Sequence, residues 1–547
     1  MSIKKISLII LDSAIILLLI SVSLICLLPP VSRDALTHHL YVPYLYLKHG
    51  GIFELPHISF SYYPELLDYL YCIPLYFKND ILPKYIHFSF ALFTALFIYL
   101  YIKPRLGKLY ALTGVLFFLT IPVIFKLSIN VYVDLGLVCF TFASIYYLFK
   151  WREKSFRYKY LIIAGIYSGL ALSVKYNGFV SFFIIVLLIP FLLDDKQKKS
   201  IKVIFYPVVF VIVSLTVFSP WMIKNYIWTN NPVYPLYDSV FNARQDKKIS
   251  PVDNEVYFGK GMNHFVMRKL VYRETFFETI TIPVRIFFEG QDDNPKLFDG
   301  KLNSFLFLLP LFWIIFRKRC NFRYDKELNF MIWFSVLTVI IVFFKVDMRV
   351  RYVAVIIPSL VVVAMTALYS INDFLFKKNK FYLIFILIIV IFLSNFIYIK
   401  NQFEKSKVVS YLSGNITNDD YVSFFRPEYR LIQYINKNTA NNSKILAVFL
   451  GHRGLYFKRD VRFRRDILYY FIKNSDDSEE ILNKLLSIGY THIILRSDLF
   501  LNEAKTILSD KAKKRMSNFF NLHCKFLGKS SDYLLYELVD ISKKGID

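Results

Sequence analysis

Residues 8–28 read "LIILDSAIILLLISVSLICLL", an almost continuous apolar run. A helix needs about 20 mostly apolar residues to cross the hydrocarbon of a bilayer, so this run is long enough to span it. Residues 381–399 form a second run of the same kind. The chain of 547 residues is 56% hydrophobic with a mean hydropathy of +0.43, whereas soluble domains are about 45–50% apolar. The sequence therefore predicts a polytopic α-helical membrane protein.

Apolar segments of this kind predict about eleven transmembrane helices. They are residues 6–29, 81–102, 108–126, 132–150, 160–175, 177–193, 202–221, 302–316, 328–345, 352–371 and 380–399. Short loops rich in Lys and Arg remain in the cytoplasm, and here they include "KPRLGK", "KWREKSFRYK" and "RKRCNFRYDKE". The N-terminus is therefore predicted to be cytoplasmic. This bias accounts for the net charge of +26, so we expect no nucleic-acid partner.

The longer connections then fall on the outer side of the membrane. Residues 30–80 and 222–301 are outer loops of a membrane domain that covers residues 1–400. The segments "DALTHHLYVPYLYLKH" and "YYPELLDYLYCIPLYF" are rich in Tyr, which favours the membrane interface, so we predict helices lying on the outer surface. Residues 401–547 are more polar and contain the strand-like runs "KILAVFLG", "THIILRS" and "DYLLYELV". They are predicted to form a small extracytoplasmic α/β domain.

Several charged residues lie at the outer ends of the predicted spans. Asp34 follows the first span, Asp134 begins the fourth, Lys175 lies between the fifth and sixth, and Arg349 and Arg351 precede the tenth. Ionisable groups at membrane depth are costly and usually face a cavity or a partner. Each of these residues alone is equally consistent with an interface anchor or a helix cap. Their shared side favours a site in which a carboxylate acts as general base and cations neutralise a departing lipid phosphate.

Longer motifs follow one another in a recognisable order. They are "SRDALTHHLYVPYLYLKHGG", "SYYPELLDYLY", "VYVDLGLVCFTFASIYYLFKW", "AGIYSGLALSVKYNGF", "SPWMIKNYIWTNNPVYPLY" and "MRVRYVAVIIPSL". Each is weak alone, but the set resembles the bacterial GT-C glycosyltransferases of the protein O-mannosyltransferase and aminoarabinose transferase superfamily. The resemblance covers about residues 1–400 in order and the tail more loosely. It implies a GT-C catalytic membrane domain and a polyprenyl-phosphate sugar as donor.

The resemblance also implies roles for individual residues. Asp34 stands where the family has its catalytic base, and Asp134 matches a second carboxylate of the site. Lys175 stands where the family lines its cavity, and Arg349 or Arg351 where a cation can meet the lipid phosphate. The other residues expected to bind substrates are His39, Glu65, Asn225 and Tyr234.

Two features depart from the family pattern or leave alternatives open. Many relatives have Asp-Glu in the first outer loop, whereas here Ala35 follows Asp34. The side chains that could hold a divalent ion are His38, His39, Glu65 and His264. Their spacing has no metal signature, so no cofactor is assigned, and the two neighbouring His residues are equally consistent with interfacial packing.

The reaction implied by the resemblance is transfer of a sugar, with inversion, to a glycan, lipid or protein on the outer side of the bacterial cytoplasmic membrane. Membrane lipids are expected to surround the protein. One alternative is a transporter or flippase of lipid-linked sugars, against which the sequence has no evident inverted repeat. Another is a polysaccharide polymerase or ligase, in which only the acceptor differs. The basic stretch "FLGHRGLYFKRDVRFRRD" of the tail is either a solvated face or a contact for an anionic glycan or headgroup.

Overall fold

The computed structural model describes residues 3–242, 263–320, 324–375 and 381–539. These residues form two compact units. The membrane unit contains the described parts of residues 1–28, 61–242 and 261–408, and the C-terminal unit contains residues 29–60 and 409–539. The segment of residues 30–80, predicted as the first outer loop, is therefore divided, because residues up to 60 group with the tail and residues 61–80 with the membrane helices.

The described part of the chain is mostly α-helical. The helices up to residue 242 are α1 (Ile3–Cys26), α2 (Tyr41–Lys48), α3 (Leu66–Tyr76), α4 (Leu82–Leu106), α5 (Lys108–Thr120), α6 (Pro122–Ser128), α7 (Asp134–Glu153), α8 (Tyr158–Val174), α9 (Gly178–Leu188), α10 (Asp195–Lys198), α11 (Lys202–Thr229) and α12 (Asp238–Phe241). Those that follow are α13 (His264–Leu270), α14 (Phe276–Ile280), α15 (Ile282–Arg285), α16 (Phe305–Cys320), α17 (Asp325–Lys345), α18 (Ile357–Leu375), α19 (Phe381–Lys405), α20 (Val408–Leu412), α21 (Asn418–Phe425), α22 (Tyr429–Asn438), α23 (Arg465–Asn474), α24 (Ser478–Ser487), α25 (Ser497–Ile507) and α26 (Asp510–Leu522).

The membrane unit confirms the predicted fold class of a polytopic helical membrane protein. Each of the eleven predicted segments contains a helix, or at residues 108–126 a pair of helices. By length and composition, five helical segments of the described residues can cross a membrane, and a sixth is added if the bent pair is one span. The five are Lys5–Cys26, Leu82–Leu106, Lys202–Thr229, Asp325–Lys345 and Val350–Asn372. The number of eleven crossings remains a prediction.

The bend between α5 and α6 has a cause in the sequence. The two helices meet at an angle of 68°. Pro122 occupies the first turn of α6, and Ile121 before it has an extended backbone with ψ of 128°. A residue that precedes proline is pushed out of the helical region, so one helix ends there and another begins. A continuous span predicted over residues 108–126 is thus two shorter helices.

The C-terminal unit is an α/β domain, as the tail sequence predicts. Its five strands are β1 (Lys444–Val448), β2 (Asp460–Arg462), β3 (Tyr490–Arg496), β4 (Cys524–Ser530) and β5 (Tyr533–Leu538). They lie in the order β2-β1-β3-β5-β4, with β1 parallel to β2 and β3, and β5 antiparallel to β3 and β4. One apolar cluster around Leu446 and Ile493 and another around Ile445 and Ile494 cover the two faces of the sheet. Successive strand residues point to opposite faces, which explains this division.

The tyrosine-rich segment of residues 34–49 is helical, as predicted, and packs within the C-terminal unit. It forms a π-helical turn at Ala35–His39 and then α2. The aromatic side chains of Tyr41 and Tyr46 are buried. The tyrosine-rich segment of residues 62–77 forms α3 in the membrane unit, and its C-terminal side chains Tyr76 and Phe77 are exposed.

Candidate active site

An ion pair joins the beginning of α7 to the turn between α8 and α9. Lys175 Nζ lies 3.1 Å from Asp134 Oδ1. The Asp134 side chain is 3% exposed, whereas that of Lys175 is 21% exposed. Lys175 has an extended backbone, which ends α8 and turns its side chain back toward α7. The structure therefore brings together two residues that the sequence predicted as parts of one site.

Glycine permits the tight turn that carries Lys175. A Cβ atom on Gly178 would lie 2.7 Å from the carbonyl oxygen of Ala171, closer than side-chain carbons approach. Without a side chain, the first residue of α9 can pack directly on the last turns of α8. The "KYNG" motif is thus explained by a close backbone approach next to the ion pair.

A second cation, Arg351, contacts the same aromatic ring as Lys175. Lys175 Nζ is 5.8 Å from the ring centroid of Tyr352, and Arg351 Cζ is 5.5 Å from the same ring. Arg351 Cζ is also 5.8 Å from the ring of Tyr132, two residues before Asp134. Cations at these distances are attracted to aromatic faces. Lys175 and Arg351 therefore place two positive charges around one ring, beside Asp134.

Arg349 has a different neighbour from Arg351. Its guanidinium lies 3.4 Å from the carboxylate of Asp299, and both side chains are partly exposed. The two arginines were alternatives for one role in the sequence analysis. Contacts within the membrane unit connect Arg351, and not Arg349, with the Asp134–Lys175 pair.

A second buried ion pair, between Glu65 and Lys224, holds the turn before α3. Glu65 was predicted as a site residue from the sequence, whereas Lys224 was not. Lys224 Nζ lies 3.0 Å from Glu65 Oε2 and donates to the carbonyl oxygens of Ser61 and Tyr63. Its side chain is 10% exposed, and Nζ lies 5.2 and 5.0 Å from the ring centroids of Trp221 and Trp228. The available signal was a lone lysine inside the apolar run "SPWMIKNYIW", because a charge at that depth requires a partner.

Asn225 extends the same contact region. Its buried amide Nδ2 donates to the carbonyl oxygens of Tyr62 and Tyr234 and to the hydroxyl of Tyr176. The Tyr176 hydroxyl also donates to the Tyr234 carbonyl. Asn225 and Tyr234, predicted to bind substrates, thus hold the hydroxyl of Tyr176, which directly follows Lys175.

One face of α3 connects the two ion pairs. Glu65, Asp68 and Tyr71 are spaced by three residues, which places them on one side of the helix, and all three are buried. Glu65 contacts Lys224, and the Tyr71 hydroxyl donates to the carbonyl of Tyr132 at the other end. Asp68 lies between them and interacts electrostatically with Lys224 and Lys175. Sequence reasoning did not select Asp68, because its role depends on this face.

Close packing of α3 on α7 depends on Gly136. A Cβ atom at this position would lie 2.6 Å from the side chain of Leu67. Gly136 lies two residues after Asp134, so the absent side chain lets α3 approach the helix end that carries the carboxylate. The "YVDLGL" motif therefore combines an acid with the glycine that makes room beside it.

Lys224→Met is expected to destabilise the membrane unit by about 3–5 kcal/mol, because the buried Glu65 carboxylate loses its cation. Glu65→Gln combined with Lys224→Met should recover much of this loss. The measurement is thermal unfolding of the purified protein in detergent. Lys108→Met is the control, since Lys108 and Asp12 are 3.9 Å apart and about half exposed. Equal effects of the two lysine substitutions would contradict a special role for the buried pair.

Asp34, His38 and His39 belong to the C-terminal unit. Asp34 directly precedes the π-helical turn. The His38 ring stacks on Phe60 at 4.1 Å, and His39 is buried. These contacts pack both histidines within this unit, and binding of substrate by His39 remains a prediction.

The four side chains considered for a divalent ion have other surroundings. Glu65 pairs with Lys224, and His264 Nε2 lies 3.0 Å from the carbonyl oxygen of Phe343. Within residues 3–242, 263–320, 324–375 and 381–539, no three His, Cys, Asp or Glu side chains form a group that could hold a metal ion. The set proposed from the sequence is not such a group.

The basic stretch of the tail forms ion pairs within its own domain. They are Arg453–Glu428, Arg462–Asp460, Arg464–Asp466 and Arg465–Glu503. These carboxylates neutralise much of the positive charge that made the stretch a candidate contact for anions. The contacts favour a structural role for these arginines.

Part of the sequence matches a known protein family, and the structure is similar to solved structures. Residues 84–223, which contain Asp134 and Lys175, match the family model described as dolichyl-phosphate-mannose-protein mannosyltransferase. A search of curated proteins found no match. The structure is similar to that of ArnT from Cupriavidus metallidurans bound to undecaprenyl phosphate, with a TM-score of 0.58 and 12% identity over 99% of each chain.

Solved archaeal structures share the same architecture. The oligosaccharyltransferase AglB from Archaeoglobus fulgidus, in complex with an inhibitory peptide and a dolichol-phosphate, is matched with a TM-score of 0.52 and 12% identity. That match covers 100% of this chain and 75% of AglB. The chain therefore shares the fold of these structures, and residues 84–223 match a mannosyltransferase family model, in agreement with the resemblance that its motifs predicted.

Proposed function

We propose that this protein transfers a sugar from a polyprenyl-phosphate carrier to an acceptor on the outer side of the bacterial cytoplasmic membrane. The observation that carries the proposal is the pairing of buried Asp134 with Lys175, both within the segment that matches a mannosyltransferase family, with Arg351 beside them. A partly exposed Lys next to an Arg suits a phosphate oxyanion. The similar ArnT structure contains undecaprenyl phosphate, a lipid of the required chemistry.

In the proposed reaction, the oxygen or nitrogen of the acceptor attacks the anomeric carbon of the donor. The bond between that carbon and the phosphate oxygen breaks, so the configuration is inverted and the polyprenyl phosphate departs. Asp34 accepts the proton of the attacking group as general base. Lys175 and Arg351 neutralise the charge that develops on the departing phosphate.

The remaining residues act around these groups. Asp134 holds the Lys175 ammonium in place, and Arg349 is a weaker candidate for the phosphate because Asp299 already pairs with it. Glu65 and Asn225 keep the wall of the site in place through Lys224 and Tyr176. The acceptor is a glycan, a lipid or a protein, and a polysaccharide ligase would use the same reaction.

Mass spectrometry of lipids and surface glycans, from cells with and without the gene, tests the proposal and identifies both substrates. We expect the deletion to remove one defined sugar from an acceptor and to accumulate the polyprenyl-phosphate sugar. In proteoliposomes, the purified protein should transfer that sugar without moving a labelled carrier across the bilayer. Translocation of the carrier without sugar transfer would instead establish a flippase and overturn the proposal.

A further inference from the structure

Asp34 precedes a local structure that is rare in proteins. The backbone N–H of Leu40 donates to the carbonyl of Ala35 at 3.0 Å, which makes residues 35–39 a single π-helical turn. In an α-helix the same N–H would donate to the carbonyl of Leu36. Single π turns are less stable than α-helix and often occur at functional sites. The turn therefore leaves the Leu36 carbonyl available for another donor.

That donor comes from the loop that follows β1 in the C-terminal domain. The backbone N–H groups of Gly454 and Leu455 donate to the Leu36 carbonyl at 3.0 and 3.3 Å. The hydroxyl of Thr37 donates to the carbonyl of Gly451 at 3.2 Å. Backbone groups of residues 451–455 thus form hydrogen bonds with Leu36 and Thr37, the second and third residues of the π turn.

The residues just before the turn are also held by the tail. The hydroxyl of Tyr456 donates to the carbonyl of Pro30 at 2.7 Å. Arg426 Nε donates to the carbonyl of Val31, also at 2.7 Å. Asp34 therefore lies between two sets of bonds, one to residues 30 and 31 and the other to residues 36 and 37.

Glycine at position 454 makes this approach feasible. A Cβ atom on Gly454 would lie 2.3 Å from two ring carbons of Tyr41, a distance that no side chain tolerates. Tyr41 is buried and belongs to the first turn of α2. The Gly454 backbone reaches the Leu36 carbonyl because it packs directly on this ring.

We infer that the loop of residues 451–456 is a positioning element, which holds the π turn and thereby the orientation of the Asp34 carboxylate. Gly454 is its central positioning residue. Without these donors, the Leu40 N–H would donate to the Leu36 carbonyl, and tightening of the π turn into an α-helical turn would rotate Asp34 by roughly 100° relative to α2. Positioning of Asp34 would thus be a function of the C-terminal domain. This inference rests on the proposed role of Asp34 as general base.

Gly454→Ala in the full-length protein tests the inference. We expect turnover to fall about 100-fold with the donor KM nearly unchanged, because a small misplacement of a catalytic group has an effect of that size. Hydrogen exchange of the backbone amides at positions 454 and 455 should rise about tenfold, since their bonds to the Leu36 carbonyl are lost. Gly528→Ala in β4 is the matched control, because a Cβ there would make an ordinary contact with Leu431 at 3.5 Å.

A second, milder variant keeps the inference testable if the Gly454→Ala protein does not fold. Tyr456→Phe removes the hydroxyl that donates to Pro30 and leaves the ring, so it should raise exchange near residue 31 and lower turnover less than Gly454→Ala does. Normal exchange and turnover in both variants would overturn the inference, as would faster exchange with normal turnover. The exchange measurement does not depend on chemistry at Asp34, whereas Asp34→Asn tests the base with the loop intact. Failure of the inference and failure of the proposed function are therefore distinguishable.

Discussion

Replacement of Asp34 by Asn is expected to lower kcat by about 10²–10⁴-fold, the range that a positioned general base contributes. Asparagine has nearly the same shape as aspartate but cannot accept the proton of the attacking hydroxyl or amine. The donor KM should change little, because the groups proposed to hold the phosphate are Lys175 and Arg351 of the membrane unit, which this substitution leaves intact. The measurement is sugar transfer by purified protein in proteoliposomes, under conditions of excess acceptor.

The control for this variant is Asp510→Asn, which makes the same chemical change at a fully exposed carboxylate of α26. It should retain the turnover of the unmodified protein. Cells that carry Asp34→Asn should accumulate the same polyprenyl-phosphate sugar as cells without the gene. Turnover of the Asp34→Asn protein within about tenfold of the control would reject Asp34 as the base, because a general base contributes more than that.

Lys175→Met is the second substitution with a large expected effect, since it acts on both stability and turnover. It removes the cation 3.1 Å from a buried carboxylate, which should destabilise the protein by about 3–5 kcal/mol. It also removes a charge proposed to neutralise the departing phosphate, which should lower kcat by about 10²–10³-fold. Thermal unfolding and sugar transfer measure the two effects separately.

The double variant Asp134→Asn with Lys175→Met separates the two roles of the lysine. Removing both charges should restore much of the stability, because no buried carboxylate then lacks its cation. Turnover should stay low, because the cation for the phosphate is still absent. Lys326→Met, at an exposed pair with Asp194, is the control. Recovery of turnover in the double variant would show that the Asp134–Lys175 pair is structural alone.

Helix positions could be predicted well from the sequence, because apolar length is a property of a short segment. Residues 8–28, for example, lie largely within α1. The strand-like runs of the tail likewise contain β1, β5 and all of β3 except its first residue, and the residues of these strands alternate between the two faces of the sheet. The two edge strands β2 and β4 were not predicted. β2 has only three residues, too few for a detectable periodicity, and β4 is polar and largely unburied, so it lacks an apolar run.

The site was predicted in part, through residues whose chemistry is costly at membrane depth. Asp134, Lys175 and Arg351 were selected for this reason, and the structure connects them. Asp68 and Lys224 were missed because their roles come from pairing between distant segments. Glu65 and Lys224, for instance, are 159 residues apart.

The sequence by itself determined that this protein is a helical membrane protein with an α/β tail, because hydropathy and periodicity act over a few turns or strands. Only the tertiary structure decided which polar groups meet. Gly136 and Gly178 let helices approach closely enough for buried charges to pair, and Gly454 lets the tail reach the turn that carries Asp34. A buried charge needs an ion-pair partner, and a buried carbonyl needs a hydrogen-bond donor. When these partners are hundreds of residues away in the sequence, only folding brings them close.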